Sequence, residues 1–191
     1  MPRHADHAIQ PQFIARHSPR AFADTALTAA QMMSVLEAAR WAPSASNNQP
    51  WRAVWGLRGD DSFAAIAAAL VDSNRLWAAK AGGLIAWASA GVVTRDGVDK
   101  PNAWAAFDAG TAWGYLALQA HAMGLITHAM GGFDAPALAS ALDMPASYTL
   151  HAVIAVGHPG DAADLPENLR AREVPSGRNG VQSWAGQGRF V

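Results

Sequence analysis

The sequence predicts an α/β layered domain, and three observations carry the prediction. Short apolar runs bounded by Gly, Pro and polar clusters alternate with segments of helical period, the pattern of strands and helices stacked in layers. The 191 residues are 51% hydrophobic and 15% charged, which suits one domain with one packed core. Residues 103–124 form a long helical pattern that is apolar on nearly every side. Such a helix needs cover from its own fold and from a second copy, so a homodimer is expected.

Composition narrows the function classes. A net charge of -1 with no run of like charges leaves no footprint for nucleic acid or an anionic membrane. Without cysteine there is no disulfide framework, thiolate nucleophile or cysteine-ligated metal, which fits a reducing compartment. The leader Met1-Pro2-Arg3-His4-Ala5-Asp6 has no apolar h-region, and the other apolar runs are short or interrupted. A soluble cytoplasmic protein is expected.

After the polar leader comes Phe13-Ile14-Ala15-Arg16-His17-Ser18-Pro19-Arg20-Ala21-Phe22. Arg16, Ser18 and Arg20 around the rigid Pro19 can grip one phosphate, because a guanidinium fork matches phosphate oxygens. Taken alone, the same residues read more readily as a solvated basic turn, with His17 stacked or exposed. Thr28-Ala29-Ala30-Gln31 is a capping box, and Met32, Val35, Leu36 and Ala39 keep helical spacing up to Trp41.

That helix delivers Ala42-Pro43-Ser44-Ala45-Ser46-Asn47-Asn48-Gln49-Pro50-Trp51. Pro43 and Pro50 push the residues before them out of the helical region, leaving the loop few conformations. Its amides and hydroxyls suit the polar edge of a planar heterocycle, or an Asx-turn that merely stops a helix.

Trp51–Leu57 alternates as a strand, and Asp60 or Asp61 caps a helix carrying Phe63, Ile66 and Leu70. Asn74 alone reads as a turn or cap residue. Leu84–Ala88 is a buried strand, and residues 91–102 read as a Gly/Pro-punctuated surface loop. Leu125–Met130 is a strand ending in Gly131-Gly132-Phe133-Asp134, with Asp134 and Pro136 opening a helix. The paired glycines allow a flat ligand to approach the backbone, or serve a plain turn. Thr149–Val156 is the last strand. The tail from Ala162 has little apolar content but holds Leu169-Arg170-Ala171-Arg172, and a partner subunit is the natural surface for it.

Absent motifs exclude other chemistry. The sequence has no G-x-S-x-G elbow, no P-loop and no G-x-G-x-x-G after a strand. His121, His128, His151 and His158 lack metal-ligand spacing, and the scattered carboxylates offer no acid pair.

Taken together, the Arg16–Phe22 turn, the Pro43–Trp51 loop, Asn74, Gly131-Gly132-Phe133-Asp134, Val156-Gly157-His158 and Arg170-Ala171-Arg172 resemble the FMN-dependent nitroreductase family. The resemblance runs from about Phe13 to about Gly177. It implies an α+β fold, a three-layer α/β/α sandwich with a central mixed, mainly antiparallel sheet. It also implies an intertwined homodimer whose 162–191 extension wraps the partner, with one FMN per subunit at the interface.

Residue by residue, the resemblance assigns Arg16, His17, Ser18 and Arg20 to the phosphate side, with Arg170 and Arg172 completing it. It assigns Pro43, Ser44, Asn47 and Gln49 to the flavin from the other subunit, Asn74 to the pyrimidine end, and Gly131 and Gly132 to flavin N5. Two positions depart from the family: Gly131 stands where an acidic residue is common, and Trp77 where a lysine is often found. The short stretch between Trp87 and Trp104 implies a small lid. No side chain is needed as a catalytic acid or base, because the flavin supplies the chemistry. The implied activity passes hydride from NADH or NADPH to a nitroaromatic, quinone or similar acceptor. The alternatives are a specialised dehydrogenase or dehalogenase of the same family, and a flavin-binding protein without turnover.

Overall fold

The computed structural model describes residues 3–191; Met1 and Pro2 of the leader lie outside the described residues. The chain enters through a short helix, Pro11–Ala15 (α1), which the sequence pattern does not signal. Pro11 occupies its first turn, where a missing N–H costs nothing. Helix α2 spans Ala29–Arg40, and Thr28 caps it by the reciprocal bonds expected: its side chain accepts from Gln31 N, and the Gln31 side chain accepts from Thr28 N. Strand β1 covers Trp51–Leu57 as its alternation predicts. Asp60 precedes α3, Asp61–Ala68, and α4 follows at Asp72–Ala78.

The remaining elements are β2 (Gly83–Ala90), β3 (Val92–Arg95), β4 (Val98–Pro101), α5 (Ala105–Ala122), β5 (Ile126–Met130), α6 (Ala135–Ala141), β6 (Tyr148–Gly157) and α7 (Glu167–Arg170). Residues 91–102 are not the loop expected above: β3 and β4 pair as an antiparallel hairpin. Asp96 and Gly97 turn it with φ of 53° and 75°, the left-handed pair that suits the twist of two short strands. Both strands are exposed on both faces, so no apolar alternation marks them.

The main sheet has the order β1-β2-β6-β5. All three pairings are antiparallel, and no parallel pair that would make the sheet mixed occurs among the described residues. Side chains alternate across it with period two. Leu84, Ala86, Val153 and Ala155 pack on one face with Phe63 and Ile66 of α3, Trp77 of α4 and Leu138 of α6. Ile85, Trp87, Ile154 and Val156 pack on the other with Met32 and Val35 of α2 and Ala112 and Leu116 of α5. The result is the expected α/β/α sandwich.

Helix α5 is less enclosed than its composition suggests. Ala105, Asp108, Ala109, Ala112, Leu116, Ala117 and Ala120 are buried. The opposite side, with Phe107, Gly110 and Tyr115, faces outward. The Trp87 indole N–H donates to the Ala109 carbonyl at 3.1 Å, anchoring the inner side of α5 to β2.

Candidate functional site

The Arg16–Phe22 turn is held from both sides. Ala23 N donates to the His158 carbonyl (3.0 Å) and Gly160 N to the Ala21 carbonyl (2.8 Å), which fixes the end of the turn to the end of β6. His128 of β5 donates from Nδ1 to the Pro19 carbonyl at 3.1 Å. From the far end of the chain, the Glu173 carboxylate accepts from Arg20 N at 3.0 and 2.8 Å and from Ala21 N at 3.3 Å. The same carboxylate pairs with the Arg20 guanidinium at 3.5 Å, and both side chains are largely buried. The turn is therefore built before any ligand arrives.

Beside it lies a cavity of about 260 Å³ walled by Arg3, Arg16, Arg20, Arg172 and Arg178, with His17, Ser18, Glu173 and Ser176 among its other lining residues. Arg16 donates to the Ser18 hydroxyl at 3.2 Å and to the His17 carbonyl at 3.0 Å. Its pKa is lowered, first by burial and then by repulsion from Arg178 and Arg3. Five guanidiniums around one carboxylate make the cavity an anion site by charge and by donor geometry. Of the expected phosphate residues, Arg16, His17, Ser18, Arg20 and Arg172 line it. Arg170 does not; its guanidinium pairs with Glu167 at 2.6 Å. Arg3 and Arg178 are additions that no local motif announces.

Beyond Arg20, packed side chains lead from the turn into α4 and β5. The Arg20 guanidinium lies 5.9 Å from the Trp77 ring, which stacks on Phe22 and tilts against His128. Trp77 is buried, so the place of the family's lysine is a core position here. One turn earlier on α4, Asn74 Nδ2 donates to the Gly132 carbonyl at 3.1 Å. A Cβ on Gly132 would come within 2.7 Å of that amide, so the contact requires glycine. A Cβ on Gly131 would meet nothing, leaving the backbone edge after β5 bare.

The Pro43–Trp51 loop is rigid in the way its prolines predict. Residues Ala45–Asn47 form one 3-10 turn, and Ser46, Asn47 and Gln49 have φ of 51°, 53° and 48°. Three non-glycine residues in the left-handed region store strain, a feature concentrated at functional sites. The strain is held by bonds from Gln49 N to Ser44 Oγ (3.0 Å), from Gln49 Nε2 to the Asn47 carbonyl (3.1 Å), and from Ala45 N to buried Asp108 of α5 (3.1 Å). Ser44 and Gln49 are thus occupied in shaping the loop. Pro43 and Asn47 are exposed.

The two halves lie apart within one chain. The loop feeds β1 at one sheet edge, and Gly131 follows β5 at the other. Three strand spacings separate those edges by about 14 Å. None of Pro43, Ser44, Asn47 and Gln49 lines the arginine cavity. Among the described residues no cluster of His, Asp or Glu could hold a metal ion, and no helix is long and apolar enough to cross a membrane.

Residues 14–158 match the family model described as the Nitroreductase family. The fold superimposes with a TM-score of 0.96 on the crystal structure of an oxidoreductase containing FMN, which is 37% identical; the match covers 99% of this chain and 96% of that one. A protein from Desulfovibrio desulfuricans solved in complex with FMN is 29% identical, with a TM-score of 0.66 over 84% of this chain and 95% of that one. In sequence, an uncharacterized 15.4 kDa protein of the ask 5′ region of Mycolicibacterium smegmatis is 35% identical over 133 residues, 69% of this chain and 86% of its own length.

Proposed function

The chain belongs to the nitroreductase family, and we propose that it is an FMN-dependent oxidoreductase carrying electrons from NADH or NADPH to a small electron-poor acceptor such as a nitroaromatic or a quinone. The observation that carries this reading is the cavity walled by arginines from both ends of the chain. A phosphomonoester of charge near -2 fits the cavity, and the open space beside Gly131 admits a planar ring. Bound FMN supplies hydride transfer at N5 in a ping-pong exchange between donor and acceptor.

The protein's own share is placement. Arg16, Ser18 and Arg172 hold the phosphate on the turn that Arg20 braces, with His17 at its margin. Asn74, fixed on Gly132, presents the remainder of its amide to the pyrimidine end. The open backbone at Gly131 allows close approach to N5. Pro43 and Asn47, on the loop shaped by Ser44 and Gln49, cover the flavin of a second copy. The 14 Å between sheet edges, estimated from strand spacing, supports a homodimer with composite sites. The tail supports the same arrangement, because Val174 and Trp184 face outward from a single chain. A cytoplasmic location suits the reduced nicotinamide donors.

Purification tests the reading directly. The protein should be yellow, and its flavin absorbance should bleach anaerobically with NADH or NADPH and recover on adding a quinone. A yellow protein that neither donor bleaches would favour a specialised dehydrogenase or dehalogenase, or a binding protein without turnover. A colourless protein that takes up no added FMN would end the proposal.

A further inference from the structure

The arginines around the cavity are not alike. Arg20 faces Glu173, just as Arg58, Arg75 and Arg170 face Asp24, Asp72 and Glu167 elsewhere in the fold. Arg3, Arg16, Arg172 and Arg178 have no carboxylate partner among the described residues. Neutral acceptors hold three of them. Arg3 Nη1 donates to the Arg16 carbonyl at 3.0 Å, Arg16 to its own turn, and Arg178 Nη1 to the Gly177 carbonyl at 2.8 Å and the Ser176 hydroxyl at 3.2 Å. Such bonds orient a guanidinium without neutralising it, and each engages one nitrogen of a five-donor fork.

We infer that Arg3 and Arg178 are ligand-binding residues which, with Arg16, hold the phosphomonoester, while Glu173 reserves Arg20 for shaping the turn. The inference rests on the FMN reading above and changes which residues carry its anionic end. The family resemblance points to Arg16, Ser18 and Arg20 and to the Arg170–Arg172 pair. In this chain Arg170 is turned away to Glu167 and Arg20 is neutralised where it stands. The vacated role falls to one arginine from the leader and one from the tail. These two segments lie together: Gly180 sits beside the Asp6 carboxylate.

Crowding of positive charge at Arg16 favours an anion there. Burial lowers the Arg16 pKa and Arg178 and Arg3 lower it further, a cost that a dianion between them removes. Both chain ends would then be drawn together by the ligand's phosphate.

The test compares FMN with riboflavin, which has the same ring and no phosphate, by fluorescence titration of the dimeric protein stripped of flavin. Arg3→Gln and Arg178→Gln should each weaken FMN binding about tenfold, the worth of one charge-assisted hydrogen bond, with riboflavin affinity unchanged. If R16Q and R172Q weaken FMN while R3Q and R178Q do not, the inference is overturned and the FMN reading stands. Equal losses for FMN and riboflavin would also overturn it, by placing both arginines away from the phosphate. Failure of the unaltered protein to bind FMN would overturn the reading beneath.

Discussion

His128 shows how one side chain can link the site to the core. Its ring lies against Trp77 and spends Nδ1–H on the Pro19 carbonyl, which fixes the neutral tautomer. Burial lowers its pKa below the ordinary 6.5; the Pro19 carbonyl opposes that, and Arg20 adds to it. The unfolded chain therefore takes up a proton at higher pH than the folded one. The stability due to the neutral ring is complete above the unfolded value of 6.5 and is lost as pH falls through the window below it. Urea midpoints measured at about pH 7.5 and about pH 5.5 should fall more in the native protein than in His128→Asn. Equal falls would remove this role. The lining of the arginine cavity was legible where motif and geometry coincide, as at Arg16, Ser18 and Arg20. Arg3 and Arg178 were not, because lone arginines far apart in sequence meet only through the fold. Arg170 pairs with Glu167, three residues earlier and a ready helical partner.

At the scale of elements, local chemistry and periodicity told most of the story. The Thr28–Gln31 box starts α2 where expected, and β1 has the bounds its alternation gives. Thr28→Ala should cost about 1 kcal/mol, the usual worth of an N-cap, read as a lower unfolding midpoint. A larger effect is expected on the loop that α2 delivers, since α2 and α5 pack together on one sheet face and Asp108 of α5 holds the Ala45 N–H. The β3–β4 hairpin was lost to the opposite circumstance. Its strands bury no face, so the period-two signal is silent, and only Asp96-Gly97 was left to mark the turn. Helix α1 is too short for a helical period to register.

For the whole molecule, the outward side of α5 decides whether one chain is complete. Trp104 and Phe107 meet edge to face with centroids 6.1 Å apart and are 58% and 70% exposed. Gly110 and Gly114 follow with open space beside them, and Tyr115 is exposed beyond. From Ala105 to Ala120 the helix has a single charge, Asp108, which points inward. A water-facing helix side without charge, with aromatic anchors and glycines that permit close approach, has the makeup of an interface centre. Nearby α2 adds exposed Met33 and Trp41, the latter held rigid by Arg40 and by a 2.9 Å bond to Glu37. In the proposed homodimer, Phe107→Glu places a charge at that centre and should weaken dimerisation by about 2 kcal/mol or more, read by sedimentation velocity as a shift to monomer at micromolar protein. Because the Pro43–Gln49 loop and the arginine cavity occupy opposite ends of one chain's sheet, the same variant should lose FMN in proportion to the monomer formed. A Phe107→Glu protein that is monomeric yet retains FMN with native affinity would mean that one chain holds the whole flavin, and that the loop has no part in it.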